Sequence, residues 1–167
     1  MLSRVHDIRR DHARFLDYPA AALIAGAGFL HYCLYVKGYR AIPTIGTGFL
    51  IQFIASGIVA AAIIAPLEFR LHVGHLALSA RAATRLAGIM LGLGTLAAFA
   101  LSRLPGGLFN FQERGLQPAP QSLLTILTEG AAVVLLVAAL VVDGTHRLVS
   151  TADLPVEQAA RRHRTSV

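Results

Sequence analysis

The sequence predicts an all-α protein, a bundle of four transmembrane helices with both termini in the cytoplasm. Three observations predict it. Of the 167 residues 55% are hydrophobic and 14% charged, with a mean hydropathy of +0.61, whereas a water-soluble domain is about 45–50% apolar and about 25% charged. Four stretches reach the roughly 17–25 apolar residues that cross about 30 Å of hydrocarbon. The basic residues fall unevenly on the two sides those stretches define. The same composition excludes disorder, and 17.8 kDa leaves room for one domain.

Residues 1–18 form a basic N-terminal segment. Leu2, Val5, Ile8, Phe15 and Leu16 recur there at roughly helical spacing between arginines, which suits a short amphipathic helix on the inner leaflet, with a flexible arm as the alternative. The transmembrane domain covers 19–142, with spans at about 19–36, 44–65, 86–102 and 122–142. Pro43 and Pro66 bracket the second span, Pro105-Gly106-Gly107 follows the third, and Pro118 and Pro120 precede the fourth. The first apolar run is longer than the ~7–15 residues of a signal peptide, so it reads as a permanent helix. Residues 143–167 form a basic cytoplasmic tail ending Arg161-Arg162-His163-Arg164, read as a mobile or lipid-touching segment.

Orientation follows from the arginines. Arg4, Arg9, Arg10, Arg14, Arg70, Arg81, Arg85, Arg147, Arg161, Arg162 and Arg164 share the side of the termini. Only Lys37, Arg40, Arg103 and Arg114 lie on the other side. Eleven against four puts the termini in the cytoplasm of a protein of the plasma (inner) membrane. The net charge of +6 therefore reads as a membrane-surface and topology signal, with no nucleic-acid partner implied.

The polar residues inside the spans gather in the outer half. His31 lies roughly 7–8 Å below the outer end of its helix, and Gln52 and Glu129 roughly 10–12 Å deep, with Thr95 at a similar level. The inner half reads as almost wholly Ala, Leu, Ile and Val. Helical spacing puts His31 on a face with Gly28, Ile24 and Tyr35, Gln52 with Gly48 and Ser56, and Glu129 with Thr125 and Ala132. Small residues one turn away let helices approach, so these faces turn into the bundle. A carboxylate at such depth costs roughly 2.5–3.5 kcal/mol, so it is paired or functional. His31 is the expected partner of Glu129, with Arg40 reaching down from the outer loop. One reading has Glu129 neutral and hydrogen-bonded, holding the helices in register. The other is a ligand or proton site of Glu129, His31, Gln52, Thr95, Tyr35 and Arg40.

Tyr32, Tyr35, Tyr39, Phe109 and Phe111 lie at the outer interface, as an aromatic belt or as a lid over that site. Glu68, His72 and His75 would share one face of a helix, a weak metal candidate; the alternation of Leu67 to Val73 and the break at Gly74 argue instead for an amphipathic segment at the headgroups. A single cysteine, Cys33, excludes a disulfide framework and cysteine-clustered metals. Glycine-rich nucleotide loops, paired intramembrane carboxylates and a Ser/His/Asp set are lacking. A haem needs two axial ligands, and only His31 lies within a span. The sequence names no cofactor.

Through Gly38-Tyr39-Arg40-Ala41-Ile42-Pro43-Thr44-Ile45-Gly46, Phe111-Gln112-Glu113 and the stretch from Pro118 to Glu129, the chain resembles a group of small four-span actinobacterial membrane proteins. The resemblance covers roughly 31–140 and implies the topology, with no activity attached. A similarity to the four-helix DoxX-like proteins rests on size and span count. Three functions are expected. The first is a non-catalytic accessory or assembly subunit of a larger membrane complex, as partner of other chains or a homo-oligomer in the lipid bilayer. The second is a small proton-coupled or ligand-binding carrier using the Glu129/His31 site. The third is a quinone-linked membrane enzyme.

Overall fold

The computed structural model describes the backbone of residues 2–67, 69–73 and 76–164, and the side chains of 14–67, 69–70 and 78–144. Four helices dominate it: α1 (Leu2–Lys37), α2 (Pro43–Ile64), α3 (Ala80–Leu101) and α4 (Gln121–Arg164). Each holds a stretch long and apolar enough to cross a membrane: Arg14–Lys37, Pro43–Ile64, Ala80–Leu101 and Gln121–Gly144. A single 3₁₀ turn, Tyr39–Ala41, joins α1 to α2. Pro43 opens α2 as its first residue, where a missing N–H costs nothing and the fixed φ suits a helix. Ser79 caps α3, its hydroxyl accepting from the Ala82 N–H at 3.3 Å.

The chain is not purely helical. Between α2 and α3 lies an antiparallel hairpin of β1 (Arg70–Val73) and β2 (Leu76–Ser79), pairing His72 with Ala77. The period-two alternation wins here over the helical spacing of Glu68, His72 and His75, because a strand sends successive side chains to opposite faces. His72 is thus in a strand, and the metal candidate loses its helical face. Glu68 and His75 lie outside the described residues, as does the His72 side chain. Among the described residues no cluster of three metal-binding side chains occurs.

Other boundaries differ from the expected ones. α1 runs unbroken from Leu2 through Pro19, so the N-terminal segment continues the first span as one helix; its side chains before Arg14 lie outside the described residues. The helix of the fourth span continues to Arg164, into the expected mobile tail. α3 begins at Ala80 and takes in Arg81 and Arg85, which the sequence reading assigned to a loop.

The packed core belongs to the hairpin end of the bundle. Ala20, Ala21 and Ile24 of α1 meet Ala60 and Ile63 of α2, Ile89 of α3, and Ala132 and Leu136 of α4. Glycines bring the helices close. A Cβ on Gly28 would stand 2.5 Å from the Ser56 Cβ, and one on Gly88 would stand 2.7 Å from a Leu136 methyl. α1 packs extensively on α2 and α4, whereas α2 and α3 touch least among adjacent helices. At the opposite, loop end that weaker seam opens into a cavity.

Candidate functional site: a capped cavity at the loop end

The cavity encloses about 330 Å³. His31 and Leu34 of α1 contribute one wall. Thr44, Ile45, Gly48, Phe49 and Gln52 of α2 face Met90, Leu91, Gly94, Thr95 and Phe99 of α3. Ser122, Thr125 and Ile126 at the start of α4 form the back, and the 102–120 loop roofs it with Leu108, Phe109 and Phe111. Thr44 and Gly48 on α2 and Met90 and Gly94 on α3 are exposed on the outer surface, so the slot between these helices leads out of the bundle. A Cβ on either Gly48 or Gly94 would meet nothing within 4 Å. These glycines keep the slot open.

The polar floor is built from α1, α2 and α4. Gln52 donates from Nε2 to Glu129 Oε1 at 3.2 Å. Glu129 is 3% exposed, and its Oε2 has no partner among the described residues. It is not among the lining residues, whereas its partner Gln52 and Thr125, one turn earlier on α4, are. Thr95 flanks the same carboxyl while its hydroxyl donates to the Leu91 carbonyl at 3.0 Å. His31 is buried, donates from Nδ1 to the Ala27 carbonyl at 2.8 Å, and lies against the Phe49 ring with centroids 5.3 Å apart.

Of the six expected site residues, His31, Gln52 and Thr95 border the cavity and Glu129 reaches it through Gln52. Tyr35 and Arg40 are not among the lining side chains, and Arg40 is exposed. Neither of the expected partners of Glu129 takes that place: its hydrogen bond is to Gln52, and among the described residues no ion pair involves it. The physical reason is reach. His31 spends its Nδ1–H on its own helix, and Arg40 sits on the far side of the α1–α2 turn.

The roof is held by charge. Tyr39 donates its hydroxyl to Glu113 Oε1, and Arg103 Nη2 pairs with Glu113 Oε2 at 3.1 Å. The Arg103 guanidinium lies 3.4 Å above the Phe99 ring and donates to the Gly115 and Gln117 carbonyls at 3.0 and 2.7 Å. Burial, followed by the neighbouring Glu113 carboxylate, pushes the Tyr39 phenol well above its ordinary 10. At the tip, Phe109 and Asn110 both have positive φ, 53° and 62°, within a two-residue turn closed by reciprocal Leu108–Phe111 bonds of 2.9 Å. That conformation costs a non-glycine residue energy; Phe109, 71% exposed, and Phe111 both line the cavity. The run Phe109-Asn110-Phe111-Gln112-Glu113-Arg114 is rich in contact residues, while the Arg103 partnership gave no local signal.

A second polar centre lies just beyond the inner ends of the expected spans, outside the stretch read as almost wholly apolar. Near the hairpin end Arg85 is 0% exposed. It donates from Nε and Nη2 to the two Asp17 carboxylate oxygens at 2.7 and 2.9 Å, and from Nη1 to Asp143 and to the Ala139 carbonyl. Three helices are tied by one guanidinium. Depth accounting at this end of the spans would have found it, since Asp17, Arg85 and Asp143 all lie within a turn or two of the ends of the membrane-length stretches.

Searches of protein-family models, of curated proteins and of solved structures each find no match to this chain.

Proposed function

We propose that this chain is a membrane protein that binds a small, largely apolar molecule in the loop-end cavity. The observation that carries this reading is the cavity itself, about 330 Å³ with apolar walls, a few convergent polar groups and a latched roof. Ligand sites have that make-up and start near that size. Unfilled space lowers stability in proportion to its volume, and a bundle serving only as an anchor or assembly partner has no use for it. The slot between α2 and α3 gives a lipophilic molecule a way in from the surrounding lipid. The termini lie in the cytoplasm and the roofed end faces outward, as the distribution of arginines requires, in the plasma membrane. Likeness to the four-span actinobacterial proteins supports the same topology, since Tyr39 and Glu113 of the latch fall in the stretches that carry it.

Gly94→Leu tests the reading. The new side chain starts in open space and grows into the slot, so the fold tolerates it. Binding of a neutral fluorophore such as N-phenylnaphthylamine to the detergent-solubilised protein should weaken at least about tenfold, with the unfolding midpoint little changed. Equal binding by both proteins overturns it.

A further inference from the structure

We infer that the cavity's ligand carries a hydrogen-bond-donating hydroxyl on a compact apolar body, a lipophilic alcohol or phenol. This rests on the proposed binding function and specifies its ligand. The argument begins with a tautomer. A carbonyl oxygen only accepts, so the 2.8 Å contact between His31 Nδ1 and the Ala27 carbonyl puts the proton on Nδ1. In the neutral ring Nε2 is then a bare acceptor. It makes no hydrogen bond among the described residues, and the ring borders the cavity.

Gln52 repeats the bias. It turns its amide nitrogen to the Glu129 carboxyl, which leaves the carbonyl oxygen of this cavity-lining side chain with no protein donor among the described residues. Thr125 also lines the cavity, but its hydroxyl oxygen is closed off from it. The polar floor thus offers two acceptors, set in apolar walls that include the Phe49 ring tilted against His31.

A ligand with a hydroxyl gives its proton to one of these acceptors. An ether, ester or ketone of the same shape leaves His31 Nε2 and the Gln52 oxygen unpaired once it has displaced water, and a buried acceptor without a donor is costly. Sites built around a ligand hydroxyl discriminate strongly against analogues lacking it.

The test compares para-propylphenol with its methyl ether, para-propylanisole, by calorimetric titration into the full-length protein in detergent. The phenol should bind at least about tenfold more tightly. In His31→Phe, which keeps a ring against Phe49 and removes the acceptor, the gap should shrink to about threefold or less with the ether's affinity retained. Equal binding of phenol and ether to the wild-type protein overturns the hydroxyl requirement and leaves the cavity as a binding site. No binding of either overturns both. A preference that survives His31→Phe overturns the role of His31. The wild-type comparison stands whether or not the variant folds.

Discussion

Arg85 shows what a single residue can decide in an apolar bundle. Its guanidinium is fully buried, and its bidentate pairing with Asp17 matches the planar fork to a carboxylate. Replacing it leaves Asp17, 4% exposed, as a buried charge without a counterion. Breaking one side of a buried pair costs about 3–5 kcal/mol, while replacing the whole group with apolar side chains is often neutral. Arg85→Met should therefore sharply lower the thermal midpoint in detergent, and Arg85→Met with Asp17→Leu should recover most of it. An unchanged midpoint in the single variant contradicts the clasp. Tyr39 makes a second prediction. Its raised pKa means that the folded state favours the neutral phenol, so its contribution is complete below pH 10 and fades as pH climbs through the higher folded value. A spectrophotometric titration of the four tyrosines should show one ionising late. Tyr39→Phe should abolish that late step; its persistence assigns it to another tyrosine.

At the scale of elements, close packing depends on where glycines fall. Gly28 faces Ser56 so closely that a Cβ would sit 2.5 Å from the serine Cβ, a backbone-anchored atom that cannot swing away. Gly28→Ala should push α1 from α2 and destabilise by about 1–3 kcal/mol. Gly26→Ala, where a Cβ meets nothing within 4 Å, should be neutral or slightly stabilising through helix propensity. Thermal unfolding of the pair separates packing from propensity, and equal effects contradict the contact. The four helices were legible because crossing a membrane demands apolar length, which one sequence displays directly. The start of α3 was not. Arg81 and Arg85 look like loop residues to any reading that treats charge as solvent-seeking, and the aspartate that permits Arg85 to be buried stands 68 positions away in the chain. The cavity floor was half legible. Depth alone put Gln52 level with Glu129, whereas the absence of His31 from that pair depends on a bond within α1 that spacing does not reveal. The hairpin was present in the alternation around His72, in competition with a helical spacing of equal regularity.

At the scale of the molecule, the two ends have different tasks, and the topology decides which solution each meets. The hairpin end holds the tight core and the Arg85 clasp, and the loop end holds the cavity and its roof. Moving Arg85 from surface to interior takes one charge from the topological count, since a neutralised buried arginine no longer anchors a loop. Ten basic residues still face four, and the bias is preserved. On the proposed orientation the roofed cavity faces the outer leaflet and the exterior. With Cys33, the one cysteine, changed to serine, a cysteine introduced at the exposed loop residue Gln112 should react with a membrane-impermeant maleimide on intact cells. A cysteine introduced at Val167 should react only after lysis. The reverse pattern would place the cavity on the cytoplasmic side, where the slot between α2 and α3 would draw on the inner leaflet, and a ligand supplied from outside would have to cross the bilayer before it could bind.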